Sequence, residues 1–133
     1  MISLYFSRKA SVLFLAMMLA WTASQAQNYT LPGSGSASTS TCSGTLRDAG
    51  GANDYGVNNS GYRTIRPNAN NRRIELSFSG ISLAGNDTLF IYDGVGNSRS
   101  NLIRFYTATN NSSGTFTSTD PSGALTVELK DNG

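Results

Sequence analysis

A two-residue period of hydrophobicity limits the possible folds more than any other feature of this chain. The stretch RRIELSFS, Arg72 to Ser79, puts Ile74, Leu76 and Phe78 on one face and Arg73, Glu75, Ser77 and Ser79 on the other. GALTVELK, near the end of the chain, sets Leu125, Val127 and Leu129 against Thr126, Glu128 and Lys130 in the same way. Successive side chains of an extended strand point to opposite sides, so this alternation specifies a sheet with one buried face. TLFIY, Thr88 to Tyr92, is apolar on both faces and reads as a more central strand. NLIRFYT, GTFTST and YRTIR are shorter candidates.

Turn chemistry separates these runs. AGN (Ala84 to Asn86), DGVGN (Asp93 to Asn97), NNSSG (Asn110 to Gly114) and DPSG (Asp120 to Gly123) supply glycines for positive φ and side chains that bond nearby backbone. Asp93 reads as such a turn former, its carboxylate bonding the amides that follow it. No stretch after the N-terminal segment reads as a helix. The expectation is an all-β sandwich with a core of Ile74, Leu76, Phe78, Ile81, Leu83, Leu89, Ile91, Ile103, Phe105, Phe116, Leu125, Val127 and Leu129.

The N-terminus has a different texture. Arg8 and Lys9 precede an apolar run from Ala10 to Trp21, and Ser24-Gln25-Ala26 offers small residues for a signal peptidase. Residues 1–26 are therefore expected to be a cleaved secretory leader, shorter in its apolar part than a spanning helix. Residues 27–41, QNYTLPGSGSASTST, have little to bury and read as a Ser/Thr/Gly-rich linker. The folded domain is then expected over 42–133. A secreted or cell-surface location follows, without membrane insertion after cleavage.

Charge and cysteine content narrow the function classes. The leader removes two of ten basic residues, leaving eight against eight acidic ones, so the mature chain has no electrostatic footprint for nucleic acid. There is no histidine, which removes Ser-His-Asp and Cys-His catalysis and histidine zinc sites, and Cys42 is the lone cysteine. No paired carboxylates suggest acid–base chemistry, so the chain reads as non-enzymatic. Beyond Lys130 only Asp131-Asn132-Gly133 remains, a turn signal that normally leads into another strand. The expectation is a fold cut short, with one sheet edge lacking its partner.

The order CSGTLRDAGGANDYGVNNSGYRTIRP, RRIELSFSGISL, NDTLFIYDG and GALTVELKDNG resembles a CUB domain, especially the divergent CUB modules of secreted Bacteroidota proteins. The resemblance covers about Cys42 to Gly133. It implies a jelly-roll-like sandwich of two antiparallel sheets, here without its final strand. Cys42 matches the family's opening cysteine, but Arg66 and Ala124 stand where relatives often carry cysteine. Many CUB domains bind Ca²⁺ at one end of the sandwich. By resemblance Asp87 is the strand-opening ligand, Asp131 the late-loop ligand and Tyr55 the supporting tyrosine, whereas the family's glutamate position falls on Ala84. The implied function is a non-catalytic extracellular binding or adhesion module, the N-terminal part of a larger secreted protein, with a protein or glycan ligand. Two alternatives are an accessory domain of a secreted protease or other hydrolase, and a carbohydrate-binding module that stacks sugars on Tyr55, Tyr62, Phe90, Tyr92 and Tyr106.

Overall fold

The computed structural model describes residues 26–132. The expected leader lies outside the described residues except for Ala26. The described chain is all-β, with one 3₁₀ turn, Arg99–Asn101. In chain order the strands are β1 (Asn28–Thr30), β2 (Ser34–Thr41), β3 (Thr45–Arg47), β4 (Ser60–Pro67), β5 (Glu75–Phe78), β6 (Thr88–Asp93), β7 (Leu102–Tyr106), β8 (Gly114–Thr117) and β9 (Leu125–Lys130).

One layer is a five-stranded sheet in the order β2-β4-β9-β6-β7. The other layer is split into two ribbons, β1-β3 and β5-β8. The alternating stretch GALTVELK supplies the centre of the large sheet, paired antiparallel to β4 on one side and to β6 on the other. The alternating stretch RRIELSFS supplies β5, paired antiparallel to β8. Leu89 and Ile91 of β6, Val127 and Leu129 of β9, Leu31 and Tyr106 form the buried core. Leu46, Leu76, Phe78 and Phe116 from the ribbons pack onto it. Phe78, Tyr106 and Phe116 meet at ring separations of 6.1 to 6.4 Å, within the range of favourable aromatic contacts.

Four expectations need correction. Residues 27–41 are not a linker: they form β1 and β2, and β2 pairs with β4 over all eight of its residues. A strand at a sheet edge is held by backbone hydrogen bonds and can expose small polar side chains, so its composition looks like a linker's. The pairing is also mixed, since β1-β3 and β2-β4 run parallel. Thr126 and Glu128 do not face solvent; they are buried with Tyr92 on the outer face of the sheet. Finally, Ile103 and Phe105 are 41% and 47% exposed, and Tyr92 and Tyr106 take the buried places. The cause is register: Tyr106 pairs with core-facing Leu89 and Phe105 with Phe90 on the outer face, and an irregularity between Ile91 and Tyr92 leaves Ile103 as an extra residue. A one-residue slip reverses which side chains face the core.

The outer face is covered by the loop between β6 and β7. Gly96 donates its amide to the Thr64 and Thr126 hydroxyls at 3.3 and 3.1 Å. Thr126 in turn donates to the Gly94 carbonyl at 2.9 Å. Asn97 Nδ2 donates to Glu128 Oε1 at 2.8 Å, and the Tyr92 hydroxyl donates to Glu128 Oε2 at 2.5 Å. Arg99 lies 4.2 Å from the Phe90 ring centre. A buried carboxylate is costly unless hydrogen-bonded, and this loop supplies one of the two donors to Glu128.

Candidate functional site

Tyr55, Asp87 and Asp131 are 32 and 44 residues apart and follow three different strands, β3, β5 and β9, yet the fold brings them to one end of the molecule. Asp87 closes the turn that starts at Ala84, its amide donating to the Ala84 carbonyl at 2.9 Å. Its side chain is only 5% exposed. The carboxylate accepts the Tyr55 hydroxyl on Oδ2 at 2.5 Å and the Asn132 amide on Oδ1 at 2.9 Å. The Tyr55 oxygen also accepts the Ala84 amide at 3.0 Å. Asp131 Oδ2 accepts the Asn59 amide at 3.1 Å, and Asn132 Nδ2 donates to the Asn86 carbonyl at 2.8 Å. Residues 55–59, 84–87 and 131–132 are thus tied into one polar cluster. Burial, then the hydrogen bond to Asp87, raises the Tyr55 phenol above its ordinary value, and the charges of Asp87 and Asp131 add to this.

The side-chain groups gathered at this end are oxygen donors, the type a hard cation takes. Two carboxylates and a phenol converge, and each Asp87 oxygen, which accepts one hydrogen bond, has a second lone pair. Ca²⁺ takes six to eight oxygens. No group of three or more His, Cys, Asp or Glu side chains occurs at metal-binding spacing among the described residues. The residues present therefore fit only a weak site in which loop carbonyls and water complete the shell. At Ala84 the backbone amide, not a side-chain oxygen, points into the cluster.

Asp93 does something different from the local turn expected of it. Its carboxylate reaches across to the β8–β9 connection. There it accepts the Ser118 hydroxyl at 2.8 Å, the Thr119 amide at 3.0 Å, the Asp120 amide at 3.1 Å and the Thr119 hydroxyl. Burial alone would raise its pKa, but these donors outweigh it and hold the carboxyl below its usual range. Gly94 follows at φ +93°, where a Cβ would come within 2.9 Å of the Asp120 carboxylate, so only glycine suits this position. Asp93 is a long-range clamp on the loop that feeds β9.

The five aromatics do not form one sugar-stacking platform. Tyr106 sits in the core at 1% exposure, and Phe90 and Tyr92 are buried under the β6–β7 loop. Tyr55 belongs to the carboxylate cluster. Cys42 is an exposed free thiol. Arg72 and Arg73 flank β5; Arg73 donates to the Ser118 carbonyl at 2.8 Å. The amides of Asn59 and Asn132, which orient the two aspartates, carried no signal in the sequence beyond their place in Asn-rich turns.

No protein-family model, curated protein or solved structure matches this chain.

Proposed function

We propose that the chain is a non-catalytic extracellular binding module of the CUB type, with a jelly-roll-like sandwich, that engages its protein or glycan ligand at the Tyr55–Asp87–Asp131 end with Ca²⁺ as a weakly held bridge. The observation that supports this is the convergence of Asp87 and Asp131 on Tyr55, with Asp87 almost wholly buried and each of its oxygens holding one hydrogen bond. A buried carboxylate whose orientation is set by a tyrosine hydroxyl and a backbone amide is preorganised, so little ordering cost falls on cation binding. Asp131 is the second charge. In this reading the residues hold the cation and leave its outer side to a ligand oxygen. Function must be argued from such a site, because sandwich folds host many functions.

Ligand charge sets calcium affinity, and two carboxylates place this site with the weak extracellular modules, at about 10⁻⁴–10⁻³ M. The test is the melting temperature across a Ca²⁺ titration. At about one hundred times Kd the gain is about 2.7 kcal/mol, an upward shift of several degrees for a domain of this size. Asp87→Ala and Asp131→Ala should each abolish the shift. A shift that survives both, or none up to about 10 mM, would remove the cation from the proposal.

A further inference from the structure

The outer face of the five-stranded sheet carries a cavity of its own, on the opposite side from the divided layer. Register fixes which side chains share this face. Ser36 pairs with Tyr62, and Tyr62 with Glu128. Ser38 pairs with Thr64, Thr64 with Thr126, and Ser40 with Arg66. Between the β6–β7 loop and β2 lies a trough of about 220 Å³, lined by Ser36, Ser38, Tyr62, Thr64, Arg66, Val95 and Gly96.

The parts of this trough are unlike. Its floor is closed, since Thr64 is 4% exposed and its hydroxyl is spent on Thr126 and Gly96 at 2.9 and 3.3 Å. Val95 stands on the loop side, 47% exposed. Ser36 and Ser38 stand exposed on the β2 side. Tyr62 and Arg66 are both half-buried and lie four residues apart on β4, about 13 Å along an extended strand. Among the described residues, no hydrogen bond, ring contact or ion pair engages the side chains of Ser36, Ser38, Tyr62 or Arg66.

No acidic residue lines the trough, so the Arg66 guanidinium is its one formal charge and has no counter-charge there. Such a group selects an anion, and its planar fork matches the two oxygens of a carboxylate. The free hydroxyls beside it offer donors and acceptors to a polyol, and tyrosine with valine offers apolar surface to the C–H face of a ring. The volume lies below the range of about 300–1,000 Å³ that holds drug-sized ligands, so the occupant is one ring rather than a length of chain.

We propose that this trough binds a single carboxylated sugar ring, a hexuronate, with Arg66 on the carboxylate, Ser36 and Ser38 on ring hydroxyls, and Tyr62 with Val95 against the ring's apolar face. The site is separate from the Tyr55–Asp87–Asp131 cluster and needs no cation.

The test is a two-dimensional amide NMR titration of the chain, with a calcium chelator present, using methyl glucuronide, its neutral counterpart methyl glucoside, and acetate. The glucuronide should move the Ser36, Ser38, Tyr62 and Gly96 resonances together, with a midpoint of about 1 mM for a ligand of this size, and leave Asn59 and Asn132 still. Glucoside and acetate should each bind at least about tenfold more weakly, because each forgoes part of the set and the glucoside forgoes the charged hydrogen bonds. Arg66→Gln should bring the glucuronide down to the level of the glucoside. It should leave the melting temperature unchanged, since the side chain has no partner in the protein. Ser38→Ala should weaken both sugars alike. Acetate binding as tightly as the glucuronide would leave only an anion site and overturn the proposal. So would a glucoside that binds as tightly as the glucuronide, an Arg66→Gln chain that keeps the preference for the acid, or resonances that do not move at about 10 mM glucuronide.

Discussion

Asp87 and Asp93 bracket the same six-residue strand, and their surroundings give them opposite tasks. Asp87 faces an end where a second carboxylate and a tyrosine gather; Asp93 is saturated by hydroxyls and amides of one loop. The sequence distinguished them only through resemblance, because a turn aspartate looks the same whether its acceptors are spent locally, at long range or on a cation. Asp93 gives a pH prediction. Its folded pKa lies below the ordinary 3.8, so its contribution is fully present above that value and is lost as pH falls through the folded pKa. Asp93→Asn should cost about 1–3 kcal/mol near neutral pH, the range for hydrogen bonds to a charged acceptor. Wild type and variant should converge as denaturation is followed toward about pH 2. A constant gap between them down to that pH would show that the carboxylate's charge is not what clamps the β8–β9 connection.

Among the elements, strict alternation located β5 and β9 and double-sided apolarity located β6. What alternation could not show was cover from outside the sheet. Thr126 and Glu128 were legible as polar and so as solvent-facing; only the β6–β7 loop, folded back through Gly96 and Asn97, makes them interior. The same blindness applies to β7, whose register with β6 puts Phe105 opposite Phe90 on the outer face, and to β2, whose hold on the sheet is in its backbone. The polar cover is testable. Burial and the bond to Glu128 push the Tyr92 phenol well above its ordinary value, so the hydroxyl stays a donor throughout the usual pH range. Tyr92→Phe should destabilise by about 1–3 kcal/mol through the unpaired buried oxygen it leaves. Asn97→Ala, at an exposed position where water can replace the amide, should cost about 1 kcal/mol or less. Urea denaturation with an unchanged slope would report both as losses of stability alone. Equal costs would mean that solvent already reaches Glu128.

At the scale of the whole molecule, the fold gathers a carboxylate cluster where the segments after β3, β5 and β9 meet, beside the place where the second layer divides. The all-β class was legible from period and turn residues, since both are local properties. The split of the second layer was not, because pairing partners within that layer lie up to 42 residues apart and nothing local records which strands pair. The convergence of Tyr55, Asp87 and Asp131 is likewise a product of topology, and it carries the central claim. The most direct measurement is a Ca²⁺ titration followed by two-dimensional amide NMR. The Asn132 and Asn59 amides donate to Asp87 and Asp131, while the Thr119 and Asp120 amides donate to Asp93. A cation on the first pair of carboxylates should shift the Asn132 and Asn59 resonances together, saturating with a midpoint of about 0.1–1 mM, and leave Thr119 and Asp120 still. Unmoved Asn59 and Asn132 resonances up to about 10 mM, or movement confined to Thr119 and Asp120, would contradict it.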